Sequence, residues 1–125
     1  MKQESALGRA TKGTGKSIDF SGVWVNELNS AMTLKQTSNQ LSGEYASAVS
    51  SDGTSTKGDL LGFVDGDLLS VTVHWRDFQA ITAWVGQLAT DQATLHTLWQ
   101  MTKQVGAGEE WASINAGADT FNRRP

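Results

Sequence analysis

From about residue 18 onward the chain is a run of short segments in which apolar and polar residues alternate, interrupted by turn-forming pairs. Side chains switch faces at each step along a strand, so this period of two belongs to half-buried β-structure. No segment holds a helical period. Strands are expected near 20–28, 31–37, 40–49, 58–65, 67–76, 80–89, 92–103 and 110–121. The breaks fall at Asn29-Ser30, Ser38-Asn39, Ser50–Thr56, Asp65-Gly66, Asp77–Gln79, Thr90-Asp91 and Gln104–Gly108. Asp-Gly is a strong hairpin signal, and most of the other links are just as short. Eight such strands predict an all-β fold, an eight-stranded antiparallel up-and-down β-barrel, whose closure leaves no exposed strand edge. A β-sandwich is the alternative, but it usually needs long crossovers that the spacing does not provide.

Length and composition narrow the function. The 125 residues make one domain, expected as a disordered basic tail over 1–18 followed by the barrel over 19–125. Within the tail, Ala10 to Ser17 (ATKGTGKS) spells a loose phosphate-binding loop. That motif works between a buried strand and a helix, and here no strand precedes it and a β-pattern follows. The absence of cysteine excludes disulfides, thiolate metal sites and cysteine nucleophiles. A net charge of −3 with both signs scattered offers no basic stripe for nucleic acid. No apolar run approaches the ~20 residues of a membrane span. Residues 1–17 lack the apolar core of a signal peptide, so the chain is expected to be cytoplasmic or to have lost a leader.

The inward faces carry the functional signal. In the stretch Gly22 to Ser30, GVWVNELNS, the face with Trp24 and Leu28 also carries Asn26 and Ser30. Burying an unpaired amide or hydroxyl costs a few kcal/mol, so these groups need partners inside. The same rule turns Leu41, Gly43, Tyr45, Ser47 and Val49 inward on the third strand. It does so for Leu69, Val71, Val73 and Trp75 on the fifth strand and for Thr82, Trp84 and Gly86 on the sixth. The seventh contributes Leu95, Thr97, Trp99 and Met101, and the last Trp111, Asp119 and Phe121. Tryptophans alone would read as barrel filling. Tryptophans beside converging polar groups read as the wall of a small-molecule pocket, and an eight-stranded barrel is just wide enough for one. Asn26, Ser30 and Tyr45 can donate to one strong acceptor, while Asp119 and Ser47 can accept from N–H groups. A cyclic urea has that complement. His74 and His96 fall on outward faces, so no Ser/His/Asp set converges.

From about Asp19 to Asn122 the chain resembles the avidin and streptavidin family. The resemblance is carried by Gly22–Ser30, by Ser42–Val49 (SGEYASAV), by Val71–Trp75 (VTVHW) and by Thr82–Gln87 (TAWVGQ). Trp99 and Asp119-Thr-Phe121 complete it, in the family's order. It implies biotin as the bound ligand, no cofactor and no turnover. It further implies that Asn26, Ser30 and Tyr45 polarise the ureido oxygen, and that Asp119 and Ser47 accept the ureido N–H groups. Thr82 would contact the thiophane sulfur, with Trp75, Trp84 and Trp99 as walls and Val49 and Met101 as apolar lining. Trp111 would reach into a neighbouring subunit's pocket, in a homotetramer rather than a dimer, and Trp24 would be core. A secreted or periplasmic location fits the family. The chain departs from the pattern in a short link between Trp75 and Trp84, where Ala80 replaces a serine that contacts the ligand carboxylate. Weak discrimination between biotin and its amides is expected from that change. The alternative function is a lipocalin-like carrier of another small apolar ligand, which would have no use for the Asn/Ser/Tyr/Asp set; a hydrolase built on Asp119 would need a base in reach.

Overall fold

The computed structural model describes residues 1–13, 17–48 and 55–125. Val49 and most of the Ser50–Thr56 link lie outside the described residues, as does part of the ATKGTGKS stretch. Eight strands form a closed barrel in sequence order: β1 (Gly22–Asn26), β2 (Ala31–Thr37), β3 (Gln40–Ala46), β4 (Lys57–Asp65), β5 (Leu68–Trp75), β6 (Ala80–Leu88), β7 (Thr94–Lys103) and β8 (Ile114–Arg123). Every neighbouring pair is antiparallel, and β8 returns to β1 through Asn26 opposite Phe121. This is the up-and-down barrel expected from the period of two. In the tail, Gln3–Leu7 form a short helix, α1, with no buried residue.

Turn chemistry sets the register. Asp65 pairs with Leu68, leaving Gly66 and Asp67 as a two-residue loop, and Gly66 takes φ 61°, which glycine adopts without a Cβ penalty. The β2–β3 loop is equally short, with Ser38 at φ 58°.

One end of the barrel is closed. Phe20 and Trp24 are fully buried there, and the Trp24 indole N–H donates to the Phe20 carbonyl at 2.9 Å. Gln36 ties the incoming chain down by accepting from Phe20 N and donating to the Ile18 carbonyl. The Arg123 guanidinium lies 4.4 Å above the Trp24 ring. Trp24 is therefore core. The opposite end carries the β1–β2, β3–β4, β5–β6 and β7–β8 links, and the described residues there surround a cavity.

Several boundaries differ from expectation, β3 ending at Ala46 rather than 49 among them, and two of the differences redirect large side chains. The first strand stops at Asn26 rather than 28, because the hairpin turns there: Asn29 N donates to the Asn26 carbonyl, and Asn29 takes φ 64°. Leu28 is consequently 69% exposed instead of inward. The last strand begins at Ile114 rather than 110, since Glu110–Ala112 wind into one 3-10 turn held by local bonds from Ala112 N to Glu109 and from Ser113 N to Glu110.

Candidate ligand-binding site

The β1–β2 hairpin answers part of the question its buried polar residues raise. Asn26 Oδ1 accepts from the backbone N–H groups of Leu28 at 3.0 Å and Ser30 at 2.9 Å, so the side chain builds the turn itself. Its Nδ2 points toward the Tyr45 hydroxyl at 3.4 Å. Ser30 Oγ accepts from Ala48 N at 2.9 Å, pinning the end of β3 to the hairpin. Among the described residues no buried side-chain polar atom lacks a partner. The hydroxyl protons of Ser30 and Tyr45 remain steerable, which is what a polar ligand atom needs.

Tyr45 is the centre of the interior. Its ring stacks on Trp84 with centroids 4.8 Å apart and planes at 20°, and it meets Trp75 edge-on at 5.4 Å. Burial, together with the nearby Asp119 charge, pushes the phenol well above its ordinary value, so it stays a neutral donor. Asp119 Oδ2 accepts from the Trp84 indole at 2.9 Å. Burial raises the Asp119 carboxyl above the usual carboxylate value, against the lowering effect of that indole bond. Thr82 is almost fully buried, and its Oγ1 accepts from the Trp75 indole at 2.9 Å. Ser47, at the end of β3, is clamped to the neighbouring strand: its N–H donates to the Thr56 carbonyl and its Oγ accepts from Thr56 N. Trp99 faces Trp84 across the β6–β7 ladder and Gly117 across the β7–β8 ladder. A Cβ at position 117 would come within 2.6 Å of the Trp99 ring, so glycine there lets the indole lie flat against β8.

A cavity of about 550 Å³ occupies the open end. Of the residues expected at the site, Ser47, Trp75 and Met101 line it directly. Thr82 stands opposite Met101 and Tyr45 shares a register row with Gly58 and Trp75, Trp84 and Asp119 lie farther in, and Asn26 and Ser30 sit at the β1–β2 turn with Asn26 reaching Tyr45. The barrel thus brings these nine side chains and Trp99 together toward one end of the interior, at and just inside a largely apolar mouth. Trp111 is not among them. It stands on the 3-10 turn rather than at the start of a strand and is 85% exposed, because that turn swings it off the barrel wall. Val49 lies outside the described residues.

The mouth also holds residues that the period-two reading passed over: Phe78 and Gln79 in the β5–β6 link, and Lys103 and Gln104 at the end of β7. Counting on from Leu95, Thr97, Trp99 and Met101 reaches Lys103, so that one was available to the same rule. Phe78 had only the oddity of a large aromatic in a turn to announce it. His74 and His96 are both exposed on the outside, as expected. Among the described residues no His/Cys/Asp/Glu cluster could hold a metal, and no helix is long and apolar enough to cross a membrane.

The sequence profile of the Avidin family matches residues 14–124. The chain belongs to the avidin family. Solved structures agree. Xenavidin is 27% identical with a TM-score of 0.71, over 87% of this chain and 100% of that one. The rhizavidin–biotin complex is 25% identical with a TM-score of 0.72, over 86% and 93%. AVR2 is 25% identical with a TM-score of 0.73, over 89% and 99%. No curated protein matches in sequence. Avidins are non-catalytic biotin-binding proteins, and as a member of that family the chain is not an enzyme.

Proposed function

We propose that this avidin-family chain binds biotin with high affinity in the open end of its barrel and sequesters it without turnover. The observation that carries the reading is the convergence of Asn26, Ser30, Tyr45 and Asp119 near Trp84, at the end of the barrel where Trp75 and Met101 wall a cavity. In this reading the Ser30 and Tyr45 hydroxyls and the Asn26 amide donate to the ureido oxygen. Asp119 and Ser47 accept the ureido N–H groups, and Thr82 meets the sulfur. Trp99 and Val49 complete the walls. Affinity comes from pre-organisation, since the hairpin and the β3–β4 clamp already fix these groups. A ligand packed against Trp75 and Trp84 should change tryptophan emission strongly.

The binding unit is residues 19–125, with 1–18 outside it, and it works with no cofactor. The working assembly is a homotetramer in which Trp111 covers a neighbour's pocket, and its exposed position favours such a role. A secreted or periplasmic location fits a scavenger of a free vitamin. Titration with biotin, followed by tryptophan fluorescence and calorimetry, tests the reading. Saturation at one biotin per chain supports it. Absence of binding heat, with a fatty acid quenching instead, would favour the lipocalin-like carrier.

A further inference from the structure

The β6–β7 ladder ends at the mouth with Ala80 opposite Lys103. Lys103 occupies an inward register position two residues beyond Met101, and it lines the cavity together with Ala80 and Met101. Its ammonium donates to Asn115 Oδ1 at 2.9 Å, and Asn115 stands opposite Met101 on β8. A neutral amide therefore holds the cation at the rim, and an ammonium has further N–H donors to offer. Among the described residues the ion pairs are Lys57–Glu44, Arg76–Glu44 and Arg76–Asp59, none of which involves Lys103. Among the described residues Asp77 is the one acidic side chain lining the same cavity, and it sits on the β5–β6 link rather than on a strand. The rest of the lining is largely apolar, with Trp75, Phe78, Ala80 and Met101 beside the neutral polar Ser47, Thr56, Gln79 and Gln104.

A largely apolar cavity that ends at a held cation suits a ligand whose inner part is uncharged and whose outer end is an anion. We propose that Lys103 recognises the carboxylate of the bound ligand, supplying from across the ladder a contact that Ala80 lacks. This rests on the biotin reading above and changes one of its consequences. With Ala80 alone, acid and amide forms would bind alike, whereas Lys103 makes the acid the preferred form. Because Lys103 is exposed, the preference is modest and sensitive to salt.

The test compares dissociation constants for biotin and biotinamide, the uncharged primary amide, in the wild type, Lys103→Met and Lys103→Arg. At low salt the wild type should favour biotin by about twofold to fivefold, the size of an exposed ion pair. Lys103→Met should bring the ratio to about one while leaving the biotinamide constant unchanged, and Lys103→Arg should keep the preference. A wild-type ratio near one, or a preference that survives Lys103→Met, overturns the role of Lys103 and leaves biotin binding intact. A wild type that binds neither compound overturns both.

Discussion

In the proposed biotin site, Asp119 is the residue at which stability and ligand binding would pull in opposite directions. Burial is the largest influence on its carboxyl and raises it above the usual carboxylate value, with the nearby Glu27 charge adding to the effect. The folded state therefore holds this proton more tightly than the unfolded chain. Asp119 favours the fold most when protonated, and that contribution is lost as pH rises through the window just above the ordinary carboxylate value. Biotin affinity should run the other way, because a protonated Asp119 is a poorer acceptor for a ligand N–H. Calorimetry from about pH 8 down to about pH 4 should show weakening affinity in the wild type, and Asp119→Asn should flatten that dependence. Asp119→Ala should cost on the order of 2–4 kcal/mol of binding free energy, since it also strands the Trp84 indole N–H. A variant that binds as tightly as the wild type would remove Asp119 from the site.

At the scale of single elements, the β1–β2 hairpin is a turn built by Asn26 that also carries two residues of the proposed site. Asn26→Ala should leave the Leu28 and Ser30 N–H groups without their acceptor and lower stability by about 1–3 kcal/mol, read as a lower urea midpoint. Gly117→Val should push Trp99 off β8 and cost about 1–3 kcal/mol while weakening ligand binding, because the displaced ring is part of the wall. Unchanged thermal unfolding in Gly117→Val would show that Trp99 has room to move. These elements differ in how far the sequence announced them. Strand order and the inward sets on β5 and β6 were legible because alternation and short polar links encode register locally. The end of β1 was not, since whether Leu28 continues a strand or starts a turn depends on the side chain of Asn26 closing back on Ser30. The 3-10 turn carrying Trp111 was also hidden, because its own short-range bonds override an alternation that still reads as strand. Contacts across the barrel, such as Tyr45 stacked on Trp84, have no signature in either strand alone.

For the whole molecule, the outer surface matters as much as the interior. Phe63, Val85 and Leu98 are exposed and fall in one register row across β4, β5, β6 and β7, with Ser70 between the first two and Ala118 of β8 beyond. Such an apolar band on the outside of a barrel favours self-association. Size-exclusion with light scattering should therefore give an oligomer, and Val85→Lys with Leu98→Lys should shift it toward monomer. In the assembled protein, Trp111→Ala should speed biotin release while leaving the barrel folded, as expected for a side chain that covers a partner's pocket. A monomer that still releases biotin slowly would assign pocket closure to the chain's own mouth residues. If the barrel interior is a biotin site, isothermal titration of the purified chain with biotin should saturate at one biotin per chain, with tight binding that weakens at least ~30-fold in Asp119→Ala. No binding heat, together with no displacement of a biotin-analogue dye, would contradict it.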